Sequence, residues 1–182
     1  NQSNKLLISA PSTSLFLKLE NPNLSFDPIN DFQFIGPIVT TTTMLILNKN
    51  SKIKNLEEFI QLSRKQNLNC GVGNGFAGFV GKYFTNIYAS NIVIVPYKSS
   101  SAVQADLLGG HIDCAFDTLP PYIGKTNFKV LGMTVPDKTN HYVGPPLFKS
   151  DYIFENFFGV AIGKTMDPKL KADLDKERLD LE

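Results

Sequence analysis

Phe76, Phe79, Val80, Tyr83, Phe84, Ile87 and Tyr88 recur at spacings of three and four, the stripe of a helix with one buried face. Immediately upstream, the short apolar run 68–72 meets four glycines, Gly71, Gly73, Gly75 and Gly78. The pattern over 69–84 therefore reads strand, glycine-rich turn, helix. Similar alternation fills the chain from 43 to 135. Residues 55–65 predict a helix capped by Asn55, with Glu58 three residues on and Leu56, Phe59, Ile60 and Ser63 turned inward. The continuous apolar run at 91–95 has the character of a strand buried on both faces. Ser99, Ser100 and Ser101 are N-cap candidates for a helix over 102–108, which Gly109 and Gly110 close. Further strands are expected at 111–116, ending at Asp117 and Thr118, and at 128–135. Alternating β and α segments predict an α/β domain with a mostly parallel sheet.

Two apolar runs do not fit that alternation. Residues 34–48 and 152–162 are nearly free of charge and longer than an ordinary strand. Each suits an extended segment that crosses between two domains. The remainder is less regular: a strand end at 5–9, a polar loop at 10–14, a turn at 26–32 packed by its own aromatics, an irregular connection at 136–150, and a charged helix opened by Asp167 and Pro168.

Composition changes the picture only at some points. With 182 residues, 42% hydrophobic and a net charge of +1, the chain is long enough for a real core and lacks the basic excess of a general nucleic-acid binder. No run approaches the roughly 18 apolar residues of a membrane span. The opening residues hold no basic segment followed by an apolar one, as expected of either a cytosolic chain or a processed secreted one. His111 and His141 give no metal-ligand spacing, so no metal site is expected. Cys70 and Cys114 both fall in expected strands; they are either buried small hydrophobes or a disulfide between neighbouring strands.

Charge is informative locally. No Asp or Glu occurs between Glu58 and Asp106, where the charged residues are Arg64, Lys65, Lys82 and Lys98. A glycine-rich turn at a helix start aims backbone N–H groups and the positive end of a helix dipole at one point, which suits a small anion. Three strand ends, 73–77, 97–101 and 117–118, share the carboxyl edge of the expected sheet, where ligands of open α/β sheets bind. Gly73, Gly75 and Gly78 form a literal GxGxxG, but a dinucleotide site also needs an acidic residue after the next strand, and here that strand ends in Tyr97 and Lys98. No nucleotide or other cofactor is expected. Lys98 is either an anion partner or a solvated lysine, Tyr97 either a ligand contact or rim packing, and Asp117 either a cap or an acceptor from a ligand amine or hydroxyl. Ser9, Ser12, Thr13 and Ser14 offer hydroxyls, or simply a solvated loop. No nucleophile sits with a base, so no enzymatic activity is expected.

The order FDPINDF at 26–32, IVPYKSS at 94–100, DLLGGHIDCAFDTLP at 106–120, VLGMTV at 130–135 and FFGVAIG at 157–163 resembles the Bug, or tripartite tricarboxylate transporter receptor (TctC-like), solute-binding proteins. The likeness covers nearly the whole chain. It implies a type II periplasmic binding-protein fold, two α/β lobes joined by crossing strands, with lobe two at 41–155. Lobe one would be truncated, represented by 1–40 and 156–182. It implies a periplasmic protein that captures a small carboxylate, an organic acid or amino acid, for membrane transporter subunits. Asn74, Gly75, Phe76, Ala77, Tyr97, Lys98, Ser99, Asp117 and Thr118 would line the ligand site from lobe two, and Ser9, Ser12 and Thr13 from lobe one. The glycine-rich turn departs from the family: Gly75-Phe76-Ala77-Gly78 replaces its hydroxyl-bearing segment, and Phe158 stands for a tryptophan. The rival readings are a binding-deficient module that self-associates or docks a partner, and a nucleotide-binding enzyme.

Overall fold

The computed structural model describes residues 6–10, 18, 21, 23–136, 142–149, 154–164 and 166–179. The chain divides into two compact units, Asn1–Thr40 with Phe157–Glu182, and Thr41–Asn156.

The larger unit is a five-stranded sheet with helices. Its strands are β3 (Thr43–Asn48), β4 (Leu68–Val72), β5 (Ile92–Pro96), β6 (Cys114–Thr118) and β7 (Phe128–Met133), in the order β5-β4-β6-β3-β7. Strand β4 pairs in parallel with both β5 and β6, whereas β3 runs antiparallel to β6 and β7. Four of the five strands therefore run the same way, as expected of a mostly parallel sheet, and β3 alone is reversed because it starts at the edge where β6 ends: Thr43 lies opposite Thr118. The expected single run at 34–48 is two strands in different sheets, β2 (Phe32–Thr41) and β3, interrupted at Thr42. The expected doubly buried strand, β5, is an edge strand, and Val93 on it is half exposed. Its apolar run reflects only one covered side.

Helix α1 (Leu56–Lys65) starts with a variant of the capping box: Asn55 Oδ1 accepts from Glu58 N at 2.9 Å, while Glu58 Oε2 reaches one residue past the cap to accept from Lys54 N at 2.8 Å. Helix α2 (Gly75–Tyr88) turns Phe76, Ala77, Val80 and Phe84 inward. Ile87, on the expected stripe, is exposed. Gly81 lets the helix lie close on the sheet, since a Cβ there would stand 2.7 Å from Ile94 Cδ1 and 3.0 Å from Phe116 Cδ2. Aromatics fill this layer: Phe84 packs on Phe59, Tyr88, Phe116 and Phe148, with centroids 4.6–6.2 Å apart. Helix α3 (Ser100–Gly109) ends at Gly110, whose φ of 75° is the left-handed cap glycine adopts freely. A second cluster joins Val103 and Leu107 of α3 to Met44, Ile46, Ala115, Tyr122 and Met133. Cys70 and Cys114 are direct partners on β4 and β6, Cα atoms 4.5 Å apart, and form a disulfide.

The smaller unit has a three-stranded sheet in the order β1-β8-β2, with β1 (Leu6–Ser9) antiparallel to β8 (Asn156–Gly163). Helix α4 (Pro168–Leu179) follows Asp167, whose Oδ1 accepts from Lys169 N and Leu170 N. The turn at 26–32 does carry an edge-to-face Phe26–Phe32 pair, but its organiser is Asp27. Asp27 accepts from Ile29 N, Asn30 N and Asn30 Nδ2 and pairs with Lys18, which together hold its carboxyl far below the usual range.

Candidate functional site

At the carboxyl edge of the larger sheet, β4 runs out through Gly73 into Asn74, the extended N-cap of α2, while β5 leads through Tyr97 and Lys98 to Ser99, the extended N-cap of α3. Asn74 Oδ1 accepts from Ala77 N at 2.9 Å, and Ser99 Oγ accepts from Ala102 N at 3.3 Å. The two helix starts abut. A Cβ on Gly73 would lie 2.9 Å from Ser100 N and 3.0 Å from Ser100 Cα, so only glycine permits this approach. Neither helix has an acidic residue in its first turn. The N–H groups of the first helical residues, Gly75 and Ser100, have no intrahelical acceptor by the geometry of any helix start. Backbone donors and two positive dipole ends therefore meet at one place.

Asp117 lies beneath that meeting point and is fully buried. Its Oδ1 accepts from Thr118 N at 2.8 Å, Ser100 Oγ at 3.0 Å and Asn74 Nδ2 at 3.4 Å; its Oδ2 accepts from the Tyr122 hydroxyl at 3.1 Å. Burial pushes the Asp117 carboxyl above the usual carboxylate range, and the Ser100, Thr118 and Tyr122 bonds oppose that rise. The Tyr122 phenol is held well above its ordinary value, first by burial and then by the charge of Asp117.

This geometry corrects several expectations. Asp117 is an internal acceptor and not a ligand-facing group, because all its oxygens turn toward protein donors. The Tyr97 hydroxyl is engaged by Asp106 Oδ2 at 2.6 Å, so its ring braces α3, and that bond raises its pKa. Ala77 is fully buried and its N–H is held by Asn74. Phe76 is buried too. Asn74 and Ser99 act as caps. Gly75, the exposed Lys98, and Thr118 at the end of β6 remain at the edge itself. Ser9 belongs to the smaller unit, where it is buried at the end of β1. Ser12 and Thr13 lie outside the described residues.

Sequence reasoning passed over the Asp117 partners Ser100 and Tyr122 as site-builders. It also missed a threonine row on the same edge. Thr43 N donates to Thr134 Oγ1 at 3.0 Å, and Thr42 Oγ1 donates to the Val135 carbonyl at 2.8 Å. The Oγ1 atoms of Thr41 and Thr43 and Oδ1 of Asn156 are buried without a partner among the described residues. Four successive threonines, Thr40 to Thr43, after Ile38 and Val39 were the available signal. Among the described residues, no group of His, Cys, Asp and Glu side chains is arranged to hold a metal ion.

Residues 8–147 match the family described as the tripartite tricarboxylate transporter family receptor. The chain is 22% identical over 177 residues to the protein BugT of Bordetella pertussis, covering 91% of this chain and 54% of BugT. A structure described as a periplasmic transporter is 25% identical, with a TM-score of 0.79 over 93% of this chain and 60% of its own. The R. palustris protein Rpa4515, solved with adipate, is 19% identical, with a TM-score of 0.80 over 93% of this chain and 60% of its own. The chain thus spans little more than half the length of these proteins. Their shared fold is α/β and two-lobed, of the type II periplasmic binding-protein kind.

Proposed function

The chain belongs to the tripartite tricarboxylate transporter receptor family, and from that premise we propose that it is part of an extracytoplasmic receptor for a small carboxylate. The observation that carries this reading is the abutment of the α2 and α3 starts at Gly73, which points backbone N–H groups at one place on the sheet edge. A carboxylate fits such donors, and a protein of this fold was solved with adipate. Contact would come from Gly75, Lys98 and Thr118 at the edge, with Asn74 and Ser99 capping the helices behind them. Amino acids and organic acids both carry the required group. The membrane subunits of a tripartite transporter would receive the ligand, and the reading assigns the protein no chemistry of its own.

A periplasmic setting agrees with the family and with the Cys70–Cys114 disulfide, since such bonds persist in oxidising compartments. Among the described residues no helix is long and apolar enough to cross a membrane.

The test is calorimetry and native mass spectrometry of this chain, and of a version extended to the relatives' length, against adipate, malate and a panel of amino acids. The extended protein is expected to bind at least one acid, and the present chain to bind it much more weakly. Sub-micromolar binding by the present chain would refute the dependence on further polypeptide. No binding by either would refute the receptor reading. A second reading, a module that associates through the smaller unit, is favoured by one observation: Leu6, Ile8, Phe34 and Ile38 are all exposed there. A concentration-independent monomer in light scattering would eliminate it.

A further inference from the structure

The buried carboxylate of Asp117 turns both its oxygens to protein donors. Asp117 collects Asn74 from the cap of α2, Ser100 from the first turn of α3, Tyr122 from the turn after β6 and its own neighbour's N–H. Those partners come from both helix starts, from the end of β6 and from the turn that follows it. A carboxylate in that place does two things. It fixes the two helix starts to each other and to β6, and it puts a negative charge under two positive dipole ends.

Resting on the reading of this edge as the carboxylate site, we propose that Asp117 is a positioning residue that never meets the ligand. Its buried carboxylate ties the starts of α2 and α3 together and sets the negative charge beneath them. It thereby limits how strongly that edge attracts an anion.

The surroundings favour a readable effect. Of the groups touching Asp117, Tyr122 alone titrates besides it, and its phenol stays protonated well above neutral pH. Charged groups on the adjoining elements have partners or face water: Asp106 of α3 holds the Tyr97 hydroxyl, Lys125 bonds Gln104, and Lys98 is exposed. On β3, the residue opposite Asp117 is Met44, which carries no charge. Because burial raises the Asp117 carboxyl above its unfolded value of 3.8, the folded state holds that proton more tightly. Stability from this group is complete below that value and is lost as pH rises through the raised folded value.

Asp117→Asn keeps the shape and removes the charge, and two arms test it on the full chain. The first needs no ligand. Urea midpoints of wild type and variant are compared across pH 4 to 8 (roughly the window above the unfolded carboxyl value). The wild type is expected to lose ground against the variant as pH rises. A constant difference across that range overturns the proposal, because a merely structural side chain gives no such slope. Ser100→Ala is the companion should Asp117→Asn fail to fold. Removing one bond to the charged form should move the window to higher pH, and an unmoved window overturns the proposal.

The second arm uses adipate as the probe, by calorimetry, on the same chain and on its extended form. The variant should bind about tenfold tighter at pH 8 at low salt, the scale of deleting one nearby charge, with the gap closing toward acid as wild-type Asp117 takes its proton. Weaker binding by a folded variant, or parallel pH profiles, overturns the proposal. If the first arm succeeds while neither protein binds adipate or any acid of the panel, the tie stands and the receptor reading falls.

Discussion

Strands β3 and β1 look alike in composition and differ completely in burial. Met44, Leu45, Ile46 and Leu47 of β3 have no exposure at all, flanked by β6 and β7 and covered by side chains of α3 and the aromatic layer. Leu6, Leu7 and Ile8 of β1 are all exposed, Ile8 at 69%. Among the described residues their backbones pair only with β8. An apolar strand therefore states what must be covered, not that it is covered. In the larger unit the chain itself covers both sides of the central strand β3. In the smaller unit the described residues do not cover β1, and the chain spans little more than half of its relatives. A sheet coated on both faces by apolar side chains is the signature of a doubly covered layer.

The largest expected effect tests whether the two units differ energetically as they do in burial. Phe84→Ala removes a fully buried ring that touches four other aromatics, and should cost about 3–5 kcal/mol. Ile8→Ala, at an exposed position, should cost less than about 1 kcal/mol. Urea titration of both variants decides it, and equal losses would break the contrast.

Next in size is the disulfide, which lies wholly in the larger unit. Both sulfurs are inaccessible, and the bond closes a loop with a sequence separation of 44. Loop-entropy reasoning puts its contribution near 4 kcal/mol, less if the reduced chain keeps structure. Replacing Cys70 and Cys114 together by alanine should lower the urea midpoint of the larger unit. Dithiothreitol should act only under conditions that unfold the sheet. Rapid reduction of the folded protein would show that β4 and β6 open readily.

Where local rules dominate, the fold was legible. Asn55 and Ser99 are caps because short polar side chains at a helix start have one best use, and both were visible in the sequence, whereas Asn74, read as a ligand contact, caps its helix by the same rule. Gly110 closed its helix for an equally local reason. The edge position of β5 was not legible, since an apolar run says nothing about how many neighbours a strand has. Nor was the pairing of Cys70 with Cys114, which depends on the register of strands 44 residues apart. At the candidate site, the strand ends could be read from sequence but the direction of their side chains could not. Tyr97 turns to Asp106 on the helix behind it, and Asp117 turns inward to Tyr122, because a strand end can face solvent or core with the same residues. The residues best suited by type to hold a ligand were the ones needed to build the frame.

The smallest effect on stability is also the one that most sharpens the contrast. Ile38 in β2 is 65% exposed, on an edge strand of the smaller sheet among the described residues. Ile38→Thr keeps the β-branched shape that suits a strand while removing apolar surface. If Ile38 faces water, as its exposure states, the change should lie within about 0.5 kcal/mol by urea titration. Light scattering should meanwhile show less self-association, since less apolar edge is offered to another copy. A loss near 2 kcal/mol would instead mean that Ile38 is covered in solution. The same substitution in a version extended to the relatives' length then separates the coverings. A large loss confined to the extended protein identifies further polypeptide of its own chain as the cover. A loss in the present chain that grows with concentration identifies a second copy.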